Sequence, residues 1–111
     1  MVTRQEFERE FFRRLESQNG PWELTVSSIA SEIRYDPQYA REVIIGLAQS
    51  GLIALSAYDS SSRHYRSWDQ FVSPFEVFSV NRGFVKAELR AAGEDYARGL
   101  MKRPIGFTAS I

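Results

Sequence analysis

The dipeptide Asp36–Pro37 constrains this chain more than any other feature. Proline disfavours a helical backbone at the residue before it, so a helix that reaches position 36 must stop there. Proline also suits the first position of a new helix, where its missing N–H loses nothing, and aspartate is a strong N-cap. On both sides of the corner, apolar residues recur at helical spacing: Ile29, Ala30 and Ile33 before it, and Ala40, Val43, Ile44 and Leu47 after it. The pattern predicts a short helix from an N-cap at Thr25 through about Ile33, a corner of Arg34, Tyr35, Asp36 and Pro37, and a second helix from Pro37 to about Ser50. Leu24 and Ile29 stand where a hydrophobic staple would place them. Ala30 is small enough for two helices to cross closely. Gly51 ends the second helix in a left-handed conformation, with Leu52 folding back onto Leu47.

Upstream, "TRQE" at Thr3 is a capping box, which starts an earlier helix. Phe7, Phe11, Phe12 and Leu15 form one apolar stripe along it, and Arg4, Glu8, Arg9, Arg13, Arg14 and Glu16 cover the rest. Asn19, Gly20 and Pro21 stop it. The phenylalanines either cover the domain's own core or, with the last helix, form a dimer surface.

Beyond Leu52 the apolar period changes. "LIALSAY" reads as a strand, "DSSS" as a turn and "RHYRSW" as the returning strand. "SWDQ" has the form of a second capping box, with a short helical turn expected up to Pro74. "FEVFSV" and "GFVKAEL" read as a hairpin around "NR", with Gly83 supplying the positive φ. Neither face of that hairpin is cleanly polar, so cover on both sides is expected. The aromatic residues here (Tyr65, Trp68, Phe71, Phe75, Phe78 and Phe84) either pack in the core or line a pocket. A last helix runs from about residue 92 to 101, and the tail "PIGFTASI" is expected to be disordered.

Composition removes several classes of function. A chain of 111 residues is one domain and buries enough surface to fold without a staple. With no cysteine there is no disulfide, thiolate metal site or cysteine nucleophile, which suits a reducing compartment. No apolar run is long enough to span a bilayer, and the N-terminus lacks a signal-peptide pattern. The chain therefore reads as soluble and cytoplasmic. The lone His64 cannot build a metal site or a catalytic triad, and no glycine-rich phosphate loop occurs. No enzymatic activity, metal or cofactor is expected. Positive and negative charges balance at 14 each, so any nucleic-acid site must be a local patch. Of the 14 cations 12 are arginines, suited to bidentate pairing with carboxylate or phosphate.

The order of these elements resembles the winged helix-turn-helix superfamily. The residues that carry the resemblance are Ile29 and Ala30, Asp36 at the corner, and Ala40, Val43, Ile44 and Leu47. "LAQSGLI" looks like the exit from such a helix into the first wing strand, and "ELRAAGEDYARGL" like the strand-to-helix exit of bacterial members. The resemblance implies an α+β fold: a three-helix bundle followed by a β-hairpin wing, extra strands and a C-terminal helix. The helix-turn-helix covers about residues 25–51, the wing and additional hairpin about 52–90, the C-terminal helix about 92–101 and the tail 102–111. One departure is the piece "SWDQFVSPFEVFSV", which a minimal wing does not need. It leaves "DSSSR" and "NRG" both open as the wing tip.

The resemblance further implies a transcriptional regulator whose third helix enters the major groove of double-stranded DNA. The residues mapped onto that role are Gln38, Tyr39, Arg41, Glu42 and Ile45, with Arg63, His64 and Arg66 on the wing, or Arg82 if the second hairpin is the wing. Gln38 matches adenine and Arg41 guanine; Ile45 would meet a thymine methyl or another protein. Glu42 opposes phosphates but can accept from cytosine. From Ser27 to Arg66 there are four arginines and four acids, so a homodimer is expected if DNA is bound. The alternative is a winged-helix module that binds protein or itself without DNA.

Overall fold

The computed structural model describes residues 2–102; the tail expected to be disordered lies outside them. Helix α1 (Arg4–Glu16) begins with the expected capping box. Thr3 Oγ1 accepts from Glu6 N at 3.1 Å, and Glu6 Oε1 accepts from Thr3 N at 3.0 Å. Phe7, Phe11 and Phe12 lose all solvent contact in the core. The stripe is therefore filled by the domain itself and is not available as a dimer surface. Burying a phenylalanine in this way contributes up to roughly 3 kcal/mol.

Helix α2 (Val26–Ile33) is capped by Thr25, which accepts from Ser28 N at 3.2 Å. Arg34 ends it in the left-handed region (φ 64), which lets Tyr35 N reach back to Ala30 O at 2.9 Å. Asp36 then opens α3 (Pro37–Gln49), accepting from Gln38 N at 2.8 Å and from Tyr39 N at 3.3 Å. Ala40, Val43, Ile44 and Leu47 enter the core as their spacing requires. At the far end Gly51 is left-handed (φ 75), and Leu52 N closes onto Leu47 O at 3.0 Å.

Four antiparallel strands form one sheet: β1 (Trp22–Thr25), β2 (Ile53–Asp59), β3 (His64–Ser67) and β4 (Phe84–Leu89), in the spatial order β1-β4-β2-β3. Strands β2 and β3 are the pair expected around "DSSS". Strand β1 was not expected; it pairs with β4 from Trp22 opposite Ala87 to Thr25 opposite Phe84. Leu24, Ile53, Leu55, Ala57, Val85 and Ala87 alternate onto the buried face. Glu23, Tyr58, Tyr65 and Lys86 occupy the opposite face.

The expected hairpin "FEVFSV"–"GFVKAEL" does not form. Only its second half is a strand, and β4 pairs with β1 and β2. Pro74–Phe78 is a 3-10 turn with proline at its start, following another at Trp68–Gln70 that carries the expected capping box. Val77 and Phe78, adjacent in this turn, are both buried in the one core of the domain, whereas adjacent residues of a strand would face opposite sides of the sheet. "NRG" is instead a turn before β4, with Arg82 and Gly83 left-handed (φ 56 and 88).

Helix α4 (Ala91–Lys102) packs on α1. The Tyr96 hydroxyl donates to the buried Glu8 carboxylate, its ring lies 5.6 Å from Phe12, and Arg9 reaches Met101 O at 3.4 Å. The start of α4 needs Gly93, because a Cβ there would overlap the Leu52 carbonyl. The architecture is thus mixed α+β, with four α-helices and a four-stranded antiparallel sheet among the described residues. Among the described residues no helix is long and apolar enough to cross a membrane.

Candidate functional site

The Asp36–Pro37 corner turns the first part of α3 toward solvent. Gln38 and Glu42 are exposed, and Tyr39 retains 59% of its accessible surface. Arg41 is half-buried and lines a small cavity with Phe78 and Arg82. Ile45 departs from expectation: at 2% exposure it is a core residue, so it can meet neither a thymine methyl nor a partner protein. Its place explains this. Ile45 lies one helical turn beyond Arg41, on the side of α3 against which the Pro74–Phe78 turn packs. The segment between β3 and β4 thus packs against a side of α3 that would otherwise face outward.

The β2–β3 turn is organised by Asp59. Its Oδ1 accepts from Ser61 N at 2.9 Å, and its carbonyl accepts from Arg63 N at 2.8 Å. Arg66 Nη1 donates to Asp59 Oδ2 at 3.2 Å, its Nη2 donates to Gln70 O at 2.9 Å, and its guanidinium lies 4.4 Å over the Phe71 ring. The Ser61 amide, together with Arg66, holds the Asp59 carboxyl below its ordinary range. Arg66 therefore braces the hairpin, whereas Arg63 at the tip forms no ion pair with any described residue. His64 is exposed, with Nδ1 2.9 Å from Ser62 O.

The arginines fall into two groups. Arg4, Arg13, Arg14, Arg66 and Arg98 are paired with Glu8, Glu10, Glu32, Asp59 and Asp95 respectively. Arg34, Arg41, Arg63, Arg82 and Arg90 have no such partner among the described residues. Three of the second group share a backbone peculiarity. Arg34 (φ 64), Arg63 (φ 60) and Arg82 (φ 56) are left-handed, as among the described non-glycine residues only Asn19 also is. A residue with a Cβ is strained there by about 1 kcal/mol, where glycine would not be and asparagine would be less so. Sequence reasoning passed over Arg34 because nothing in the local pattern marks a left-handed position occupied by arginine.

The solvent face of the sheet carries a second cluster. Tyr58 and Tyr65 meet edge to face at 5.5 Å, Lys86 Nζ lies 3.8 Å over the Tyr65 ring, and the Tyr65 hydroxyl donates to Glu23 Oε1 at 2.6 Å. That bond to a carboxylate raises the Tyr65 phenol above its usual range. The aromatic set anticipated from sequence is thus divided. Phe78 is buried, Trp68 and Phe71 are partly buried against the core, and Tyr65, Phe75 and Phe84 are exposed. Among the described residues no group of three or more histidines or carboxylates is placed to hold a metal ion. Comparisons with protein-family models, curated proteins and solved structures returned no match.

Proposed function

We propose that this chain is a winged-helix DNA-binding protein, a transcriptional regulator in which α2 and α3 are the helix-turn-helix, the β2–β3 hairpin is the wing and α3 lies in the major groove. The observation that carries the reading is the set of arginines at strained turn positions. Arg34 ends α2, Arg63 forms the hairpin tip and Arg82 precedes β4 beside Arg41, all without an internal carboxylate. Backbone strain persists where the side chain has another use, and an unpaired guanidinium is well shaped for phosphate. Gln38 and Tyr39, exposed on the first turn of α3, supply base-edge or phosphate hydrogen bonds. Four such cations per chain fall short of the roughly six to ten phosphate contacts that make binding strongly salt-dependent. The reading therefore includes a homodimer on two half-sites, with an interface that α1 does not supply.

The test is duplex binding by the full chain at two salt concentrations, for wild type, Arg41→Ala and Arg63→Asn. Each variant is expected to bind more weakly and to reduce the salt slope by about one unit. Asparagine tolerates the left-handed backbone, so Arg63→Asn is expected to leave stability unchanged or slightly higher. Absence of salt-sensitive binding to any duplex would count decisively against DNA. The second reading, a module that binds protein or its own copy, is favoured by Tyr58, Tyr65 and Phe84 lying exposed on the open sheet face. It would then take precedence.

A further inference from the structure

The cavity between Arg41 and Arg82 differs in its charge from three other concavities among the described residues. Those three each carry at least two carboxylates: Glu23 and Glu32 in one, Glu6, Glu10 and Glu32 in the next, and Glu16, Glu88 and Glu94 in the last. The Arg41–Arg82 cavity has none; its walls also include Thr25, Ser27, Phe78 and Gly83. Two arginines thus line one recess with no carboxylate among its walls, in a protein of zero net charge. Like charges brought together without compensation disfavour the empty site and favour one filled by an anion. The volume, about 150 Å³, is below the roughly 300 Å³ at which pockets for whole small molecules begin. It suits a single tetrahedral oxyanion.

We infer that this recess is a phosphate clamp, with Arg41 and Arg82 as paired donors and the Ser27 hydroxyl as a third. Resting on the DNA-binding reading, the phosphate it takes belongs to the duplex backbone beside α3. Arg41 is then a backbone anchor and not the guanine reader that its position on α3 alone suggests. Base discrimination is left to Gln38, Tyr39 and Glu42. The clamp also gives a use to the piece between β3 and β4, since that piece delivers both Phe78 and Arg82 to the recess.

The experiment uses the full chain with two probes, inorganic phosphate and duplex DNA. The variants are Arg82→Asn, which keeps the left-handed backbone, and Arg82→Lys, which keeps the charge but not the fork. Phosphate is expected to shift the amide resonances of Ser27, Arg41 and Gly83 in wild type and not in Arg82→Asn. Arg82→Asn is expected to weaken duplex binding several-fold and to lower its salt slope by about one unit, with Arg82→Lys intermediate. Arg41→Ala is expected to weaken binding to all duplex sequences alike. A sequence-selective loss on Arg41→Ala would return Arg41 to base reading and overturn the clamp. Wild-type duplex binding with no effect of Arg82→Asn overturns the clamp and leaves the DNA reading standing. Phosphate shifts at the recess without any duplex binding support the clamp chemistry and assign its ligand to a free phosphate.

Discussion

Arginine is treated in opposite ways on the two sides of this molecule. Along α1 and α4 each described arginine is engaged: Arg4, Arg13, Arg14 and Arg98 lie against carboxylates, and Arg9 reaches a backbone carbonyl. Around α3 and the turns that flank the sheet, Arg34, Arg41, Arg63 and Arg82 face no carboxylate, and three of them sit on strained backbone. Exposed ion pairs stabilise by only about 0–1 kcal/mol, so the pairing along α1 does little for the fold. Its effect is on the field: positive charge is neutralised on one side and left for solvent on the other. A net charge of zero therefore does not mean an even surface.

The comparison can be broken first at its closed side. Phe11 is wholly buried, meets Phe7 at 6.2 Å and Trp22 at 5.8 Å, and belongs to the core on which α4 closes. Phe11→Ala is expected to lose about 3–5 kcal/mol of unfolding free energy by urea titration. A loss below about 1 kcal/mol would mean that α1 is not the packed side of the domain. A contrast of two glycines is smaller and sharper. Gly93→Ala is expected to destabilise by about 1–3 kcal/mol, because the new methyl meets backbone. Gly99, on the same helix with open space around it, should gain up to about 1 kcal/mol on the same substitution. Equal effects at both positions would remove α4 from its seat against Leu52.

The smallest effect belongs to the brace on the open side. The Asp59 carboxyl titrates below its unfolded value, so its contribution is present above that value and is lost as pH falls through the folded one. Stability measured against pH is expected to show a shallower acid limb in Asp59→Asn than in wild type, below about pH 4. Parallel limbs would mean that Asp59 does not hold the hairpin turn.

What could be read from sequence was whatever short-range chemistry decides. The caps at Thr3, Thr25 and Asp36, the proline at position 37 and the left-handed Gly51 each act within a few residues, and each appears where expected. What escaped depends on distant partners. Strand β1 is four residues long and exists through its pairing with β4, some sixty residues away. The 74–78 segment is dense in apolar residues and looked like a strand, but Pro74 and the joint burial of Val77 and Phe78 make it a 3-10 turn. Ile45 was placed outward by the helical wheel, which cannot foresee cover from a segment distant in sequence. Of the residues mapped onto the candidate site, Gln38, Tyr39, Glu42, Arg63 and His64 are exposed. Arg41 turns into the recess, and Arg66 is held by its own hairpin.

Leu52 joins two parts of the chain that sequence keeps far apart. Its amide hydrogen closes the last turn of α3, and its carbonyl accepts Arg90 N at 3.1 Å, just under the point where Gly93 presses in. The exit of α3 and the root of the final helix are therefore fastened to a single residue, through its two flanking peptide groups. A torque applied to the final helix would reach the exposed one without a slack joint in between. The same residue that closes α3 also seats the first turn of α4.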